Sequence, residues 1–205
     1  MRARPDLPPW LYDLVQWLAG AHLLRRRARR ELVDLRGPLR VLDAGSGTGM
    51  ARRLWRGPVS VVAVDLEMAR LCRFLGSFPA DSAVRSDVAA LPVRASSFDV
   101  VTCMDVVHHL EDTNLARFLA EVVRALRPGG FLVLIDAVWN PRWLTGRLLW
   151  GADRGAHPRR RETLRKALEA RLEIHRWARF RFLHAYVICV AMPRAEVLPL
   201  SPGCR

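Results

Sequence analysis

Three glycines at alternate positions, Gly45, Gly47 and Gly49, stand in the run Val41-Leu42-Asp43-Ala44-Gly45-Ser46-Gly47-Thr48-Gly49. A glycine loop between a strand and the following segment lets backbone N–H groups approach a ligand that side chains would hold off. The spacing is G-x-G-x-G, whereas a dinucleotide pyrophosphate loop needs its third glycine one position later, where Met50 stands. Asp65 follows 20 residues after Gly45. A carboxylate at that distance, at the end of the next strand, can accept hydrogen bonds from both hydroxyls of a ribose. Asp87 closes a third segment, where it can accept from an adenine amino group, and Val88 can offer the ring its backbone N–H. Together these residues predict a nucleoside site. Beyond them, Asp105, His108 and His109 are the groups able to move a proton, and an imidazole titrates near neutrality.

Strands and helices in alternation must position these groups. Leu39 to Leu42 reads as a buried strand, residues 49–56 as a helix stopped by Gly57-Pro58, and Val59 to Val64 as an apolar second strand ending at Asp65. A helix over 67–76, a weak strand near Ala83-Val84-Arg85 and a fourth strand from Phe98 to Cys103 follow. Residues 113–126 place Leu115, Phe118, Leu119, Val122 and Leu126 on one helical face. Arg127-Pro128-Gly129-Gly130 reads as a turn and Phe131 to Ile135 as a fifth strand. Residues 139–158 read as irregular and 160–171 as a charged helix; Glu173–Leu183 and Ala185–Met192 read as an antiparallel pair. Continuously apolar strands alternating with helices imply a parallel sheet covered on both faces. The expected fold is therefore α/β: a doubly wound, Rossmann-like three-layer sandwich whose mostly parallel seven-stranded sheet ends in an antiparallel hairpin. All 205 residues fall into one domain. Residues 1–36 form a helical cap, 37–136 the ligand-binding core, 137–171 a substrate-side insertion and 172–193 the final strand pair.

Composition narrows the class. Hydrophobic residues make up 51% and charged residues 26%, as in a globular chain. The formal charge is +13, and Lys166 is the only lysine, so the excess is arginine. Apolar positions at helical spacing over 10–24 run into Arg25, Arg26, Arg27, Arg29 and Arg30, a combination suited to an anionic membrane surface. Cys72, Cys103, Cys189 and Cys204 form no C-x-x-C pair, and no Cys/His spacing suggests zinc, so no metal is expected. Free thiols and the lack of a clean cleavage site predict a cytoplasmic protein, with peripheral membrane contact through the arginine-rich helix.

The series V-L-D-A-G-S-G-T-G, V-D-L, S-D-V-A-A-L-P, S-F-D-V-V, H-H-L and R-A-L-R-P-G-G resembles the class I S-adenosylmethionine (SAM)-dependent methyltransferases of the broad small-molecule group, over residues 39–136. The opening Leu11-Tyr12-Asp13 and its helix are similar to the start of quinone and phospholipid methyltransferases. The resemblance implies SAM as cofactor. It implies that Gly45, Ser46, Gly47, Thr48 and Gly49 line its methionine part, with Asp43 facing the amino group. Asp65 would hold the ribose, Leu66 would pack near the adenine, and Asp87 and Val88 would hold that ring. Cys103 and Met104 would wall the sulfonium region, and Asp99 would orient its strand.

Because a sulfonium is a ready leaving group, much of the catalysis can be positioning, and a base is needed only for an acceptor proton of high pKa. His109 is the first candidate base and Asp105 the second. The expected acceptor is a small molecule, hydrophobic or membrane-borne. An RNA methyltransferase and a non-catalytic SAM-binding module are the alternatives. Nucleic acid is the less favoured partner, because no Asn/Asp-Pro-Pro-aromatic motif and no Pro-Cys nucleophile follows the fourth strand. Trp139, Trp143 and Trp150 are expected either to line an apolar pocket or to serve as ordinary packing.

Overall fold

The computed structural model describes residues 21–32, 39–153 and 157–194. Helix α1 spans Ala21–Glu31, and the predicted apolar segment before residue 21 lies outside the described residues. Strands β1 (Leu39–Ala44), β2 (Val59–Asp65), β3 (Ser82–Arg85) and β4 (Phe98–Met104) alternate with helix α2 (Met68–Ser77) and are followed by helix α3 (Asp112–Ala125). Strand β5 (Leu126–Val138) precedes helices α4 (Leu144–Ala152) and α5 (Arg161–Glu169) and the hairpin of β6 (Leu172–Arg181) and β7 (Ala185–Pro193).

The seven strands run in the order β3-β2-β1-β4-β5-β7-β6. Pairs from β3 to β5 are parallel, and the β5–β7 and β7–β6 pairs are antiparallel. This is the expected mostly parallel sheet closed by a hairpin. Alternate side chains divide its interior into two apolar layers. Leu42, Val101, Leu134 and Cys189 meet Phe118 and Leu119 of α3 and Leu164 of α5. Val41, Val100, Ile135 and Ile188 meet Leu24 and Ala28 of α1 and Leu71 and Phe74 of α2 on the other face. All seven residues of β4 are buried, so it is the central support for the loops at its carboxyl end.

Three local readings are corrected. Residues 49–56 form turns and a short 3-10 stretch at Arg52–Leu54, not an α-helix. The seven residues between Gly49 and Gly57 are too few for a helix to sustain itself. Buried Ala51, Leu54 and Trp55 instead anchor the segment, and Arg52 pairs with Asp81 at 2.5 Å. The Arg127–Gly130 segment is a bulge inside β5, since Phe98 pairs with Leu126 but Val100 already pairs with Phe131. Finally, the insertion contains a true helix, α4. Gly146 and Gly151 masked its apolar spacing, but its first turn is pinned by Trp143 Nε1 and Thr145 Oγ1, which both donate to the Leu183 carbonyl at 3.0 Å.

Candidate active site

The strand order reverses between β1 and β4, and a ligand crevice in such sheets opens at that point, beyond the carboxyl ends of the strands. Asp43 ends its buried course there. Thr102 of β4 donates to its Oδ1 at 3.1 Å, and Oδ2 is buried with no hydrogen-bond partner. Burial first, with the nearby Asp65 adding to it, pushes the Asp43 carboxyl up to about 7. Ser46 Oγ, three residues further along the chain, is buried and unpartnered as well. Such orphans cost free energy unless a ligand meets them.

The glycine loop adopts a backbone conformation that favours glycine. Gly45, Gly47 and Gly49 adopt φ of +75°, +53° and +97°. At Gly45 a Cβ would overlap a Val106 methyl, so the loop after β4 lies directly against it. The Gly45 and Ser46 N–H groups donate to the Val64 carbonyl at 2.8 and 2.9 Å. Asp65 ends β2 and binds the loop: its Oδ2 accepts from Gly47 N at 2.8 Å, and its Oδ1 accepts from Glu67 N at 2.9 Å. Leu66 is 54% exposed beside it, an apolar side chain placed to cover a flat ring. Asp87 Oδ1 accepts from Ala89 N at 2.8 Å, which fixes the turn after β3, while the Val88 side chain is buried in the core.

Residues 42–134 match the protein family described as "Methyltransferase domain". The chain carries, over residues 42–134, a methyltransferase domain of the class I SAM-dependent type. It is 36% identical over 155 residues to the phthiotriol/phenolphthiotriol dimycocerosates methyltransferase of Mycobacterium tuberculosis, a match that covers 72% of this chain and 53% of that protein. It is 40% identical over 111 residues to the corresponding methyltransferase 1 of Mycobacterium ulcerans, covering 51% of this chain and 39% of the relative. The chain thus spans about half the length of the curated relatives it matches. Among solved structures, it superposes on a chain from the complex of the Haloferax volcanii Trm112 methyltransferase activator and a putative methyltransferase with TM-score 0.77. That likeness is 14% identical and covers 94% of this chain and 99% of the other. A putative methyltransferase from Bacillus halodurans gives TM-score 0.68 at 19% identity, covering 85% and 99%. These two show the shared fold.

SAM is the cofactor of this methyltransferase class, and the residues present fit it. The orphaned carboxylate oxygen of Asp43 suits a ligand ammonium group, unpartnered Ser46 Oγ suits a polar neighbour, and the open glycine backbone leaves room for both. An ammonium ligand would bind the ionised Asp43. SAM affinity is therefore expected to rise by up to tenfold per pH unit toward about 7 and level off above it. Calorimetric titration between about pH 5.5 and 8.5 checks this; a flat profile would separate Asp43 from the ammonium.

Cys103 and Met104 end β4 beside this crevice, but both side chains are buried, on opposite faces of the sheet. Asp99 lies at the opposite edge, where Arg40 N donates to its Oδ2 at 2.6 Å and Arg127 pairs with it; it ties strands together there. The loop after β4 carries the proton-handling groups. Asp105 has a φ of +55°, a strained value for a residue with a side chain. Burial, followed by the charge of Asp136, pushes its carboxyl up to about 7.

The two histidines stand in different surroundings. His108 is buried, and its Nδ1 lies 2.6 Å from Asp136 Oδ1, while its Nε2 lies 3.6 Å from Asp153 Oδ2. Burial alone would lower its pKa, but the carboxylates, Asp136 foremost, raise it to about 9. His109 is exposed and lies 4.0 Å ring to ring from His108. Partial desolvation and the charge on His108 lower its pKa, so it is neutral at pH 7 and able to accept a proton.

Sequence reasoning did not find Asp136, which is fully buried. Besides His108, it accepts from Val106 N at 3.0 Å and Val107 N at 2.7 Å. Its signal was available: it is the single carboxylate that interrupts the apolar run from Phe131 to Val138. Asp153 was unfindable from spacing, since 45 residues separate it from His108 along the chain. Ligating atoms of His108, His109 and Asp153 lie within 4.8 Å of one another. A metal there would have to displace the proton that the carboxylates hold on His108. Arg159 locks the same loop by donating to the carbonyls of Val107 at 2.9 Å and Leu110 at 2.5 Å.

Proposed function

We propose that this protein transfers the methyl group of SAM to a small, lipid-like acceptor above the carboxyl ends of β4 and β5, with His109 as proton acceptor and Asp105 beside it. When bound, SAM supplies a methyl group on a positively charged sulfur, which leaves as a neutral thioether. The chain's own residues hold and orient it: Asp43 and the Gly45–Gly49 loop at the methionine end, Asp65 and Leu66 at the ribose and adenine end, and Asp87 and Val88 beyond them. Asp136 and His108 fix the loop that carries Asp105 and His109.

The observation that carries the reading is the split between the paired histidines. One is charged, buried and clamped, and its neighbour is neutral and open to an acceptor. A lipid-like acceptor is supported by the relatives named for phthiotriol substrates and by Leu144 and Leu148, which α4 leaves 71% and 77% exposed. Contact with an anionic membrane surface is supported by the gathering of Arg25 and Arg29 of α1 with Arg53 and Arg56: burial first, and then these neighbouring charges, hold the pKa values of Arg25 and Arg29 down. No helix among the described residues is long and apolar enough to cross a membrane.

Transfer of labelled methyl groups to cell extract fractionated into lipids, small metabolites and RNA tests the acceptor class, and label in RNA alone would overturn it. His109→Ala is expected to lower turnover by about 10²-fold or more and to leave SAM affinity within about twofold, since general-base catalysis contributes 10²–10⁴-fold. Equal losses in both would make His109 a structural residue.

A further inference from the structure

A cavity of about 900 Å³ lies between the end of β5, the insertion and the β6–β7 hairpin. The sequence allowed for an apolar pocket lined by three tryptophans, and the cavity differs from it. Trp139 and Trp143 do line it, but Trp150 is buried elsewhere, and Arg142, Arg160, Arg161, Arg179 and Arg181 surround the opening. Glu162 is the one acidic lining residue, and it is taken by Arg161. Among the described residues, no carboxylate pairs with Arg142, Arg160, Arg179 or Arg181. Four guanidinium groups without a carboxylate partner among the described residues line one concavity, an arrangement that favours an anion.

The wall is built and not merely charged. The Arg181 guanidinium lies over the Trp143 ring, 5.7 Å from its centroid. Trp143 itself is fixed by its bond to the Leu183 carbonyl. A stacked guanidinium keeps its planar fork of N–H donors free for an oxyanion. Arg179 and Arg181 lie two apart on edge strand β6, so they project on the same side of the sheet. Phe180 and Tyr186 pair across the hairpin and give the cavity an aromatic side.

A relay of ring contacts links the cavity wall to the loop of the proposed transfer centre. Tyr186 lies 6.1 Å ring to ring from His184, His184 lies 4.7 Å from Trp150, and Trp150 lies 5.4 Å from His108. Burial, then the charges of Asp105 and Asp136, push the Tyr186 phenol well up, so these carboxylates are within electrostatic reach of the cavity wall. Helix α4 begins immediately after Trp143 and carries exposed Leu144 and Leu148.

We propose that this cavity binds the oxyanion of an amphiphilic methyl acceptor, a phosphate or carboxylate attached to an apolar body, through Arg142, Arg160, Arg179 and Arg181. The aromatic residues cover the adjoining apolar part. The proposal rests on the methyltransferase reading above and adds the charge of the acceptor to it.

The test is calorimetry on the full chain with four probes: phenyl phosphate, phenol, inorganic phosphate, and vesicles of phosphatidylglycerol against phosphatidylcholine. SAM is titrated separately. Phenyl phosphate is expected to bind at least tenfold more tightly than phenol, to weaken as salt rises, and to lose at least tenfold in affinity in the Arg179→Gln/Arg181→Gln double variant. SAM affinity should hold in that variant. Binding to phosphatidylglycerol vesicles that the double variant loses identifies a lipid headgroup as the source of the anion; phenyl phosphate binding without vesicle binding identifies a soluble acceptor. Equal affinity for phenol and phenyl phosphate, or anion binding unchanged in the double variant, overturns the proposal while SAM binding leaves the methyltransferase reading standing. Absence of SAM binding with intact anion binding overturns that reading alone.

Discussion

Replacing Asp65 by alanine is expected to weaken SAM binding by at least 10²-fold. The carboxylate does two things at once. It accepts the Gly47 N–H through Oδ2 and the Glu67 N–H through Oδ1, and so fixes the glycine loop to the end of β2. It also presents its remaining lone pairs at the expected ribose position. A hydrogen bond to a charged group contributes about 1.5–3 kcal/mol, and each 1.4 kcal/mol is tenfold in affinity. Loss of the ribose contacts together with a loosened loop therefore exceeds two decades. Asp65→Asn keeps one acceptor and should fall between alanine and the parent. Calorimetric titration of SAM into each variant, with thermal unfolding alongside, provides the check. Unchanged affinity in the folded alanine variant would mean that β2 does not reach the ligand.

The second large effect concerns stability. Asp136→Ala is expected to destabilise the protein by about 3–5 kcal/mol, the usual cost of removing one partner from a buried ion pair. The change leaves His108 buried without its counterion and orphans the Val106 and Val107 N–H groups. In a chain of this size each kcal/mol is worth about 2–4 °C, so the unfolding midpoint should fall on the order of 10 °C. The pair also has a pH signature. The folded pKa of His108 is raised from 6.5 to about 9, so the native state holds that proton more tightly than the unfolded chain does. Its stabilisation is complete below about 6.5 and is lost as pH rises through about 9. The parent protein should lose stability across that window, on the order of 3 kcal/mol, and Asp136→Asn should flatten the slope. Urea unfolding at intervals from about pH 6 to 9.5 measures both, and an identical slope in parent and Asp136→Asn would remove His108 from the account.

Much of the fold was legible because its signals are local. The apolar run from Val59 to Val64 can only be a strand buried on both faces, and Leu115, Phe118, Leu119 and Val122 can only be a helix face. The residues proposed to bind the cofactor were locatable for the same reason: they lie at or just beyond strand ends, and in a parallel sheet all strand ends of one sense fall on one edge. Where the local signal was short or interrupted, tertiary contacts decided instead. Residues 49–56 surrendered helical geometry to bury Trp55, and α4 formed despite two glycines because the hairpin turn holds its first residues.

The glycine loop, Asp65 and Asp87 therefore follow from sequence alone, since backbone conformation and strand-end position are set within a few residues. The different surroundings of His108 and His109 do not. Adjacent in sequence and alike in chemistry, they differ because the fold buries one of them against Asp136 of β5 and leaves the other exposed. The arginine-lined cavity is likewise a product of tertiary structure. Its cations come from the insertion and from β6, and their charges combine only when the sheet brings those segments to one edge.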